Sequence, residues 1–197
     1  MLEAAAQVLV AEGYGGLTTA AVAERAGVSA MTLYQYYADK AALVAGVVEA
    51  HLASEAAAVG VALADGAALA PAEAVDRVVR AFVGVNVGDP ARTAAYLVAA
   101  REVAWTEGIA AVAAQSVEAV TALVGGWPDP ARPSDPAAAA FVVVSAVDGL
   151  VQRAVALRPA WAASGALADE ACALARRYLL PGGGDSGDGG SGGAAGI

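Results

Sequence analysis

The sequence predicts an all-α protein: a three-helix N-terminal head, joined by a long helix to an all-helical body, with about nine helices in total. Through most of the chain, apolar residues recur at spacings of three and four, the period of one face of a helix. No segment shows the strict alternation that is typical of a half-buried strand. Glycines and prolines interrupt the pattern at intervals, and these interruptions mark the ends of the helices.

Composition restricts the classes of function. The 197 residues are 58% hydrophobic and carry a formal net charge of −9. One cysteine, Cys172, and one histidine, His51, provide neither an internal disulfide nor a Cys/His zinc cluster, so no cofactor is predicted. The negative charge argues against a general nucleic-acid coat, which would be basic, but it allows a sequence-specific binder with a small contact surface.

The sequence predicts no membrane span and no secretory leader. The longest apolar stretch, residues 137–147, ends at Asp148 and is shorter than the roughly 20 residues that a bilayer requires. Acidic Glu3 stands where a secretory signal would carry basic residues. A cytoplasmic protein is therefore expected.

The head contains a helix, a glycine turn and a second helix within residues 18–40. Thr18 or Thr19 can cap the first helix through its hydroxyl, and Gly27 can adopt the left-handed conformation that ends it. Ser29 can then cap the second helix. This order is typical of the helix-turn-helix motif, although by itself it suits an ordinary helical hairpin equally well. The side chains expected to pack between the two helices are Val22, Ala26, Val28 and Leu33.

The second helix of such a motif lies in the major groove of DNA, with its N-terminal residues at the base edges. Gln35 could pair with adenine, while Ala30, Met31 and the methyl group of Thr32 could contact thymine methyls. Phosphate contacts fix the register without reading the sequence. The side chains suited to phosphates are Thr19, Tyr34, Tyr36 and Lys40.

The body begins within a long helix predicted over residues 40–64, which contains no breaker. The further helices are predicted at residues 71–88, 91–107, 109–124, 136–157 and 165–180. A proline-rich loop spans residues 125–136, and the Gly/Ser/Asp-rich tail should be disordered. These patterns divide the chain into a head at 1–46, a body at 47–181 and a tail at 182–197.

The body is a candidate ligand-binding unit because it places a few polar groups among apolar helices, as binding pockets do. The candidate ligand-binding residues are Phe82, Tyr96, Arg101, Trp105, Asp148 and Gln152. For the three aromatic residues core packing is an equal expectation, and Arg101 suits a solvated face. Asp148 could instead form a salt bridge or cross a dimer interface. His51 lies either at a hinge between head and body or, as the favoured interpretation, on the surface.

The last two long helices, at about 137–157 and 165–180, are the predicted homodimer interface. The first of them is apolar nearly all round, and a single body would struggle to cover it. A two-fold dimer would place two recognition helices against a pseudo-palindromic site on double-stranded DNA.

Residues 2–52 resemble the head of the TetR family of transcriptional regulators. The matching pieces are AAQVLVAEGY at 5–14, TT at 18–19, AGVS at 26–29 and TLYQYYADKAAL at 32–43. In the body, SAVDGLVQRAV at 145–155 is placed like the first dimerisation helix of the family. The resemblance implies a homodimer, an all-helical ligand domain and release of DNA when a small-molecule effector binds.

The resemblance also assigns roles within the recognition helix. It places Ala30, Met31 and Gln35 at the variable positions that read the sequence. The positions that usually contact the DNA backbone are occupied by Thr19, Thr32, Tyr34, Tyr36 and Lys40.

Two departures from the family predict a weak electrostatic grip on DNA. Residues 1–50 hold only Arg25 and Lys40 as basic residues, against five acidic ones. No basic arm precedes the first helix, so either the arm is missing or the chain starts further upstream. Because neutralisation of phosphates supplies most of non-specific affinity, both departures weaken binding.

A ligand-responsive repressor is therefore the predicted function. The alternative is a small-molecule-binding homodimer with little or no sequence-specific DNA binding. An enzyme is not predicted, because no nucleophile and base are suitably spaced and no glycine loop could cradle a phosphate.

Overall fold

The computed structural model describes residues 1–103 and 106–180, and within these ranges it contains ten helices and no strand. The all-α prediction is confirmed, and the additional helix is the four-residue α9, which the sequence analysis did not distinguish from a connection. The helices are α1 (Leu2–Gly16), α2 (Thr19–Ala26), α3 (Ala30–Tyr36), α4 (Lys40–Gly66), α5 (Pro71–Gly88), α6 (Pro90–Glu102), α7 (Glu107–Gly125), α8 (Pro136–Leu157), α9 (Pro159–Ala162) and α10 (Ala166–Leu179).

The helix-turn-helix of the head is formed as the sequence predicts. The hydroxyl oxygen of Thr18 accepts a hydrogen bond from the amide of Ala21 at 3.1 Å and so caps α2. Gly27 ends α2 with φ of 68° and ψ of 29°, a left-handed conformation that side-chain-bearing residues rarely adopt. The hydroxyl oxygen of Ser29 then accepts from the amide of Thr32 at 3.0 Å and caps α3.

The core of the head closes around the two helices and the start of α4. Val22 and Leu33 are fully buried between the helices, and Ala26 and Val28 pack at the edge of the same cluster, as predicted. The other fully buried large side chains of this core come from α1, from the turn after it and from α4. They are Val8, Leu9, Leu17, Leu43, Val44 and Val47.

Helix α4 joins the head to the body without a break over 27 residues. Its N-terminal half contributes Leu43, Val44, Val47 and Val48 to the core of the head. Its C-terminal half packs against α5 through a small cluster that contains Val59. Because one continuous helix packs in both cores, the orientation of the head relative to the body is set by α4.

The main core of the body lies among α5, α7, α8 and α10. Val83, Val124, Val151 and Leu167 are fully buried at its centre. Trp127 follows α7 in the predicted proline-rich loop, yet it is buried against this core. The loop is therefore anchored by an aromatic side chain that its turn-forming composition does not reveal.

Two boundaries differ from the predictions. Helix α6 ends at Glu102, and Val103 is extended, with φ of −111° and ψ of 149°, so the predicted helix at 91–107 is too long. Thr106 begins the next helix by accepting the amide hydrogen of Ile109 at 3.1 Å. Trp105 and the tail at 182–197 lie outside the described residues.

Three helices, α4, α7 and α8, are long and apolar enough to cross a membrane by length and composition alone. The argument against a span does not hold for α8, because the helix continues through Asp148 to Leu157 and reaches 22 residues. In the fold, Val143, Val147 and Val151 of α8 are buried in the body core. Much of the apolar character of these helices comes from alanine, a strong helix former.

Two glycines test the backbone argument for the turn. A Cβ atom would find open space at both Gly27 and Gly60, but only Gly27 has a positive φ. We expect Gly27→Ala to destabilise the protein by about 1–2 kcal/mol through left-handed strain. We expect Gly60→Ala, in the interior of α4, to stabilise it by about 0.5–1 kcal/mol. Urea unfolding of both variants checks this, and equal effects of the two substitutions would contradict the role of Gly27.

Candidate functional site

The recognition helix α3 separates a buried side from an exposed one. Leu33 is fully buried, while Ala30, Met31 and Gln35 are exposed, and Met31 is 72% exposed. The three predicted base-reading residues thus share the solvent side of one short helix. Two of them carry no hydrogen-bonding group, so Gln35 is the one that could read a base edge through hydrogen bonds.

The predicted phosphate-contacting residues surround this helix and are partly held in place. The hydroxyls of Tyr34 and Thr19 lie 3.0 Å apart in a hydrogen bond that joins α3 to α2. The hydroxyls of Thr32 and Ser29 are also paired, at 2.9 Å. Tyr36 is 68% exposed and free to approach a phosphate. These contacts pre-orient hydroxyl groups on one surface before any DNA is present.

Lys40 is the one lysine of the sequence, and it follows the end of α3 by four residues. Its Nζ lies 4.3 Å from the centroid of the Tyr14 ring, a cation–π contact between α4 and α1. The guanidinium of Arg25 on α2 donates to the Oε1 atom of Gln7 at 3.4 Å. Both basic residues of the head therefore have neutral partners within the head, which orient their charges without cancelling them.

The predicted ligand-binding residues fall into two groups. Tyr96 is buried, and Phe82 and Asp148 are half-buried, whereas Arg101 and Gln152 are exposed. Tyr96 packs in the core of the head together with Ile109, while Phe82 lies beside the body core. The structure therefore places these two aromatic residues in different cores and does not gather all the predicted ligand-binding residues into one pocket.

Four polar side chains from α4, α5 and α8, which the sequence did not predict to lie close together, form a cluster. We call His51, Glu55, Asn86 and Asp148 the interior polar cluster. The Nδ2 atom of buried Asn86 donates to Oε1 of Glu55 at 2.7 Å, and the same carboxylate oxygen lies 3.3 Å from Nε2 of His51. The i, i+4 spacing of His51 and Glu55 on one helix was the sequence signal available for this contact.

Asp148 is the electrostatically unfavourable member of the cluster. Burial raises the pKa of its carboxyl group, and the nearby Glu55 carboxylate raises it further. Gln152 opposes this effect by donating to Oδ2 of Asp148 at 2.7 Å. The interior of the body therefore disfavours a second negative charge beside Glu55.

His51 is not on the surface, so the favoured interpretation of this residue was wrong. Its side chain is 14% exposed, and its ring lies 4.3 Å from the Tyr96 ring, centroid to centroid. Tyr96 belongs to α6 and His51 to α4, so the pair lies where the head core meets the body. His51 therefore lies at the junction of head and body, where the alternative interpretation placed it.

An ion pair between α1 and α6, which the sequence did not predict, joins the head to the body. The guanidinium of Arg92 on α6 pairs with the carboxylate of Glu3 on α1, and its Nε atom donates to the Tyr96 hydroxyl at 2.7 Å. We call Glu3, Arg92 and Tyr96 the head–body bridge. Glu3 and Arg92 are 89 residues apart, and no local pattern reports such a pair.

Two of the surface depressions in the described part of the structure contain none of the predicted ligand-binding residues. One, of about 560 Å³, lies along the start of α5 and is lined by charged side chains that include Glu73 and Arg77. The other, of about 280 Å³, is an apolar groove between α1 and α6, with Val10 and Val98 at its rim. Neither depression reaches the interior polar cluster.

An apolar surface is left uncovered on α8 and α10. Phe141 is 61% exposed, and Val142 on the same helix is also exposed. Leu174 and Tyr178, one turn apart on α10, are exposed as well. These two helices are the ones predicted to form a homodimer interface, and an apolar patch of this kind is typical of a protein contact.

Comparison with known proteins agrees with this architecture. The family model described as bacterial regulatory proteins, tetR family, matches residues 1–47, and the model described as tetracyclin repressor-like, C-terminal domain, matches residues 70–179. The chain belongs to the TetR family of transcriptional regulators. No curated protein sequence matches it.

Solved structures share the fold at low sequence identity. A TetR-family regulatory protein from Rhodococcus is 24% identical, with a TM-score of 0.69, over 91% of this chain and 94% of that one. The fatty acid degradation regulator FadR from Bacillus halodurans is 19% identical, with a TM-score of 0.69, over 92% and 96%. FadR from Bacillus subtilis, solved with stearoyl-CoA, is 14% identical, with a TM-score of 0.64, over 90% and 95%.

The raised pKa of Asp148 predicts a stability difference that depends on pH. A raised carboxyl pKa in the folded state means that the contribution of Asp148 to stability is present at low pH and lost as the pH rises through that value. Asp148→Asn stays neutral and can still pair with Gln152. We expect its Tm to exceed that of the wild type by a few degrees at pH 7.5, with the difference vanishing towards pH 4.

Thermal unfolding between pH 4 and pH 8 measures this difference. Glu118→Gln, at an exposed position of α7, is the matched control and should leave the curve unchanged. A lower Tm for Asp148→Asn at neutral pH would show that the charged carboxylate is stabilised by its surroundings.

Proposed function

We propose that this protein is a ligand-responsive transcriptional repressor that binds a pseudo-palindromic operator as a homodimer. The observation that carries the proposal is the exposed surface of α3, where Met31 and Gln35 face solvent on a helix held by Leu33 and capped by Ser29. In helix-turn-helix proteins the second helix enters the major groove through such a surface. The family matches support DNA binding as its general role.

The DNA contacts we propose are those predicted from the sequence. Ala30, Met31 and Gln35 face the bases, while hydroxyls and one ammonium group contact the backbone. The proposed backbone-contacting residues are Thr19, Thr32, Tyr34, Tyr36 and Lys40. The acidic head implies modest affinity for a single head, so binding depends on two heads engaging two half-sites together.

The proposed homodimer forms through α8 and α10. Their exposed apolar side chains cover neighbouring turns on each helix, and α8 and α10 also pack against each other within the body. A self-complementary contact of this patch follows two-fold symmetry and would present both α3 helices to the same side of the duplex. Pairing of α8 in protein, rather than insertion in lipid, also suits a cytoplasmic regulator.

The proposed effector is a small apolar or amphipathic molecule that enters the body. The predicted ligand-binding residues that are buried or half-buried are Phe82, Tyr96 and Asp148. Arg101 and Gln152 are exposed to solvent. We expect the effector to enter between helices of the body. The complex of FadR from Bacillus subtilis with stearoyl-CoA supports an amphipathic ligand for a body of this fold.

The domain boundaries we propose remain a head at 1–46, a body at 47–181 and a tail at 182–197. Residue 46 is a glycine within α4, and a Cβ atom there would lie 3.0 Å from Cε1 of Tyr37 and 3.2 Å from Cδ2 of Leu2. The boundary therefore falls inside a rigid helix at a point of close packing. Repression, rather than catalysis, is the activity proposed for the whole.

A second candidate function is a small-molecule-binding homodimer with little sequence-specific DNA binding. The observation that favours it is the charge of the head, where residues 1–50 hold two basic residues, Arg25 and Lys40, against five acidic ones. The two functions differ in whether a specific, salt-sensitive DNA complex forms.

Selection of duplexes from a random library tests the DNA contacts. We expect the wild type to enrich a pseudo-palindrome, and Gln35→Ala to lose about 1–3 kcal/mol of discrimination at one position of each half-site. We expect Lys40→Ala to weaken binding to all sequences and to reduce the salt slope by about one unit. Gln115→Ala, on the exposed surface of α7, is the matched control and should bind like the wild type.

The same experiment separates the two candidate functions. Failure to enrich any sequence, at low and at moderate salt, would favour the ligand-binding homodimer over the repressor. With an enriched duplex available, stearoyl-CoA should reduce the bound fraction. A bound fraction unchanged by acyl-CoA and fatty acid probes would contradict the proposed effector class.

Sedimentation at micromolar concentration tests the dimer. Phe141→Asp places a charge in the proposed contact and removes an aromatic ring that the dimer would bury. We therefore expect the dimer Kd to rise by about tenfold or more. Val61→Asp, at a similarly exposed apolar residue of α4, should leave the mass unchanged. A monomeric wild type would contradict the interface.

A further inference from the structure

The solvent side of the recognition helix carries no charged group. From Ala30 to Tyr36, α3 has neither a basic nor an acidic side chain. In the major groove, guanine is commonly read by an arginine or a lysine, and cytosine donates a hydrogen bond to a carboxylate. Helix α3 therefore lacks the charged side chains that distinguish a G·C pair.

Two of the three hydroxyl groups of α3 are already engaged within the head. The hydroxyls of Thr32 and Ser29 lie 2.9 Å apart, and those of Tyr34 and Thr19 lie 3.0 Å apart. The third hydroxyl belongs to Tyr36, at the C-terminal end of the helix. The groups left to face base edges are therefore one amide and the apolar side chains at the start of α3.

Met31 is a large apolar side chain that is left in contact with water. It is 72% exposed, whereas Leu33, two residues further along, is fully buried. Met31 is the second residue of α3, in the N-terminal turn that meets the base edges in helix-turn-helix proteins. Transfer of this side chain from water to an apolar surface is favourable.

The apolar group that a base pair presents in the major groove is the C5 methyl group of thymine. A methionine suits this group, because its unbranched side chain and polarisable sulfur adapt to the shape of a partner. Ala30, the preceding residue, is exposed and small, so it allows the helix to approach the base edges closely. The first turn of α3 is therefore suited to contact with a methyl group.

Gln35 shares a face of α3 with Met31, because it lies four residues further along. Four residues of α-helix rise by about 6 Å. Consecutive base pairs are about 3.4 Å apart, so this rise spans fewer than two base-pair steps. A glutamine amide can pair with N6 and N7 of adenine. The two side chains therefore face base pairs that are neighbours or next but one.

We propose that Met31 is a specificity-determining residue that reads a thymine methyl group in each half-site of the operator. Gln35 reads an adenine within two base pairs of it, so the positions that α3 reads are A·T pairs. The proposal deepens the proposed function, on which it rests, by naming the base pairs that the operator presents. It also gives the acidic head a source of affinity that does not depend on neutralisation of phosphates.

Recognition of the methyl group differs from recognition of A·T-rich DNA by its shape. A·T-rich DNA can also be selected through its narrow minor groove and its stiffness. Deoxyuridine pairs with adenine as thymidine does and lacks only the C5 methyl group. Conversely, 5-methylcytosine carries this methyl group on a G·C pair. Duplexes with these bases therefore separate the methyl group from the shape of the DNA.

Binding of the full chain to a duplex enriched from the random library tests the proposal. Each thymine of the half-site is replaced by deoxyuridine in turn, in both half-sites together. At the position that Met31 contacts, we expect binding to weaken by about tenfold, because one buried methyl group is lost in each half-site. At the same position, a 5-methylcytosine duplex should bind more tightly than the cytosine duplex.

Variants of Met31 assign the methyl contact to this residue. Met31→Ala should bind the thymine and deoxyuridine duplexes equally well, since its contact with the methyl group is gone. Met31→Leu stays apolar and should keep the preference for thymine. Met31→Arg should enrich guanine within the half-site. Val10→Ala, at an exposed apolar residue of α1, is the matched control and should show the same loss on deoxyuridine as the wild type.

The outcomes separate failure of this proposal from failure of the proposed function. If the wild type binds every deoxyuridine duplex as tightly as the thymine duplex, Met31 reads no methyl group. A loss on deoxyuridine that persists in Met31→Ala would also overturn its role. In both cases sequence-specific binding remains, and the repressor function is unaffected. A wild type that enriches no sequence would contradict the repressor function and the role of Met31 together.

Discussion

Helix α4 contributes side chains to two cores, so the placement of both head and body follows from this one rigid helix. Leu43 and Val47 close the head around α2 and α3, and Val59 packs against α5 more than three turns further along. A helix of 27 residues cannot bend at no cost, so the head follows any rotation of its N-terminal half. The head also meets the body where α1 packs against α6.

The contact of α1 with α6 includes polar side chains as well as apolar ones. The head–body bridge joins the N-terminal turn of the first helix to the body, and His51 of α4 lies against the same tyrosine. Apolar packing and polar contacts therefore meet at one junction, because α4 supplies both core residues of the head and His51.

Much of the head could be predicted from local sequence, because its determinants are local. Thr18, Gly27 and Ser29 act within three or four residues of themselves, and the structure forms each cap and turn as expected. The body was harder to predict. Trp127 lies in a loop by composition and in the core by contact, and Val103 ends α6 although its residue type fits the helical pattern. Tertiary packing decides both.

The helix-turn-helix, the family, the long connecting helix and the apolar faces of the body could be predicted from the residues alone, because periodicity and capping act over short separations. Which polar residues meet depends instead on the way the helices pack. Arg92 reaches Glu3 across 89 positions, and Asn86 reaches Glu55 across 31. Such partners depend on how helices cross, and an arginine with no partner looks the same in a sequence as one that joins two domains.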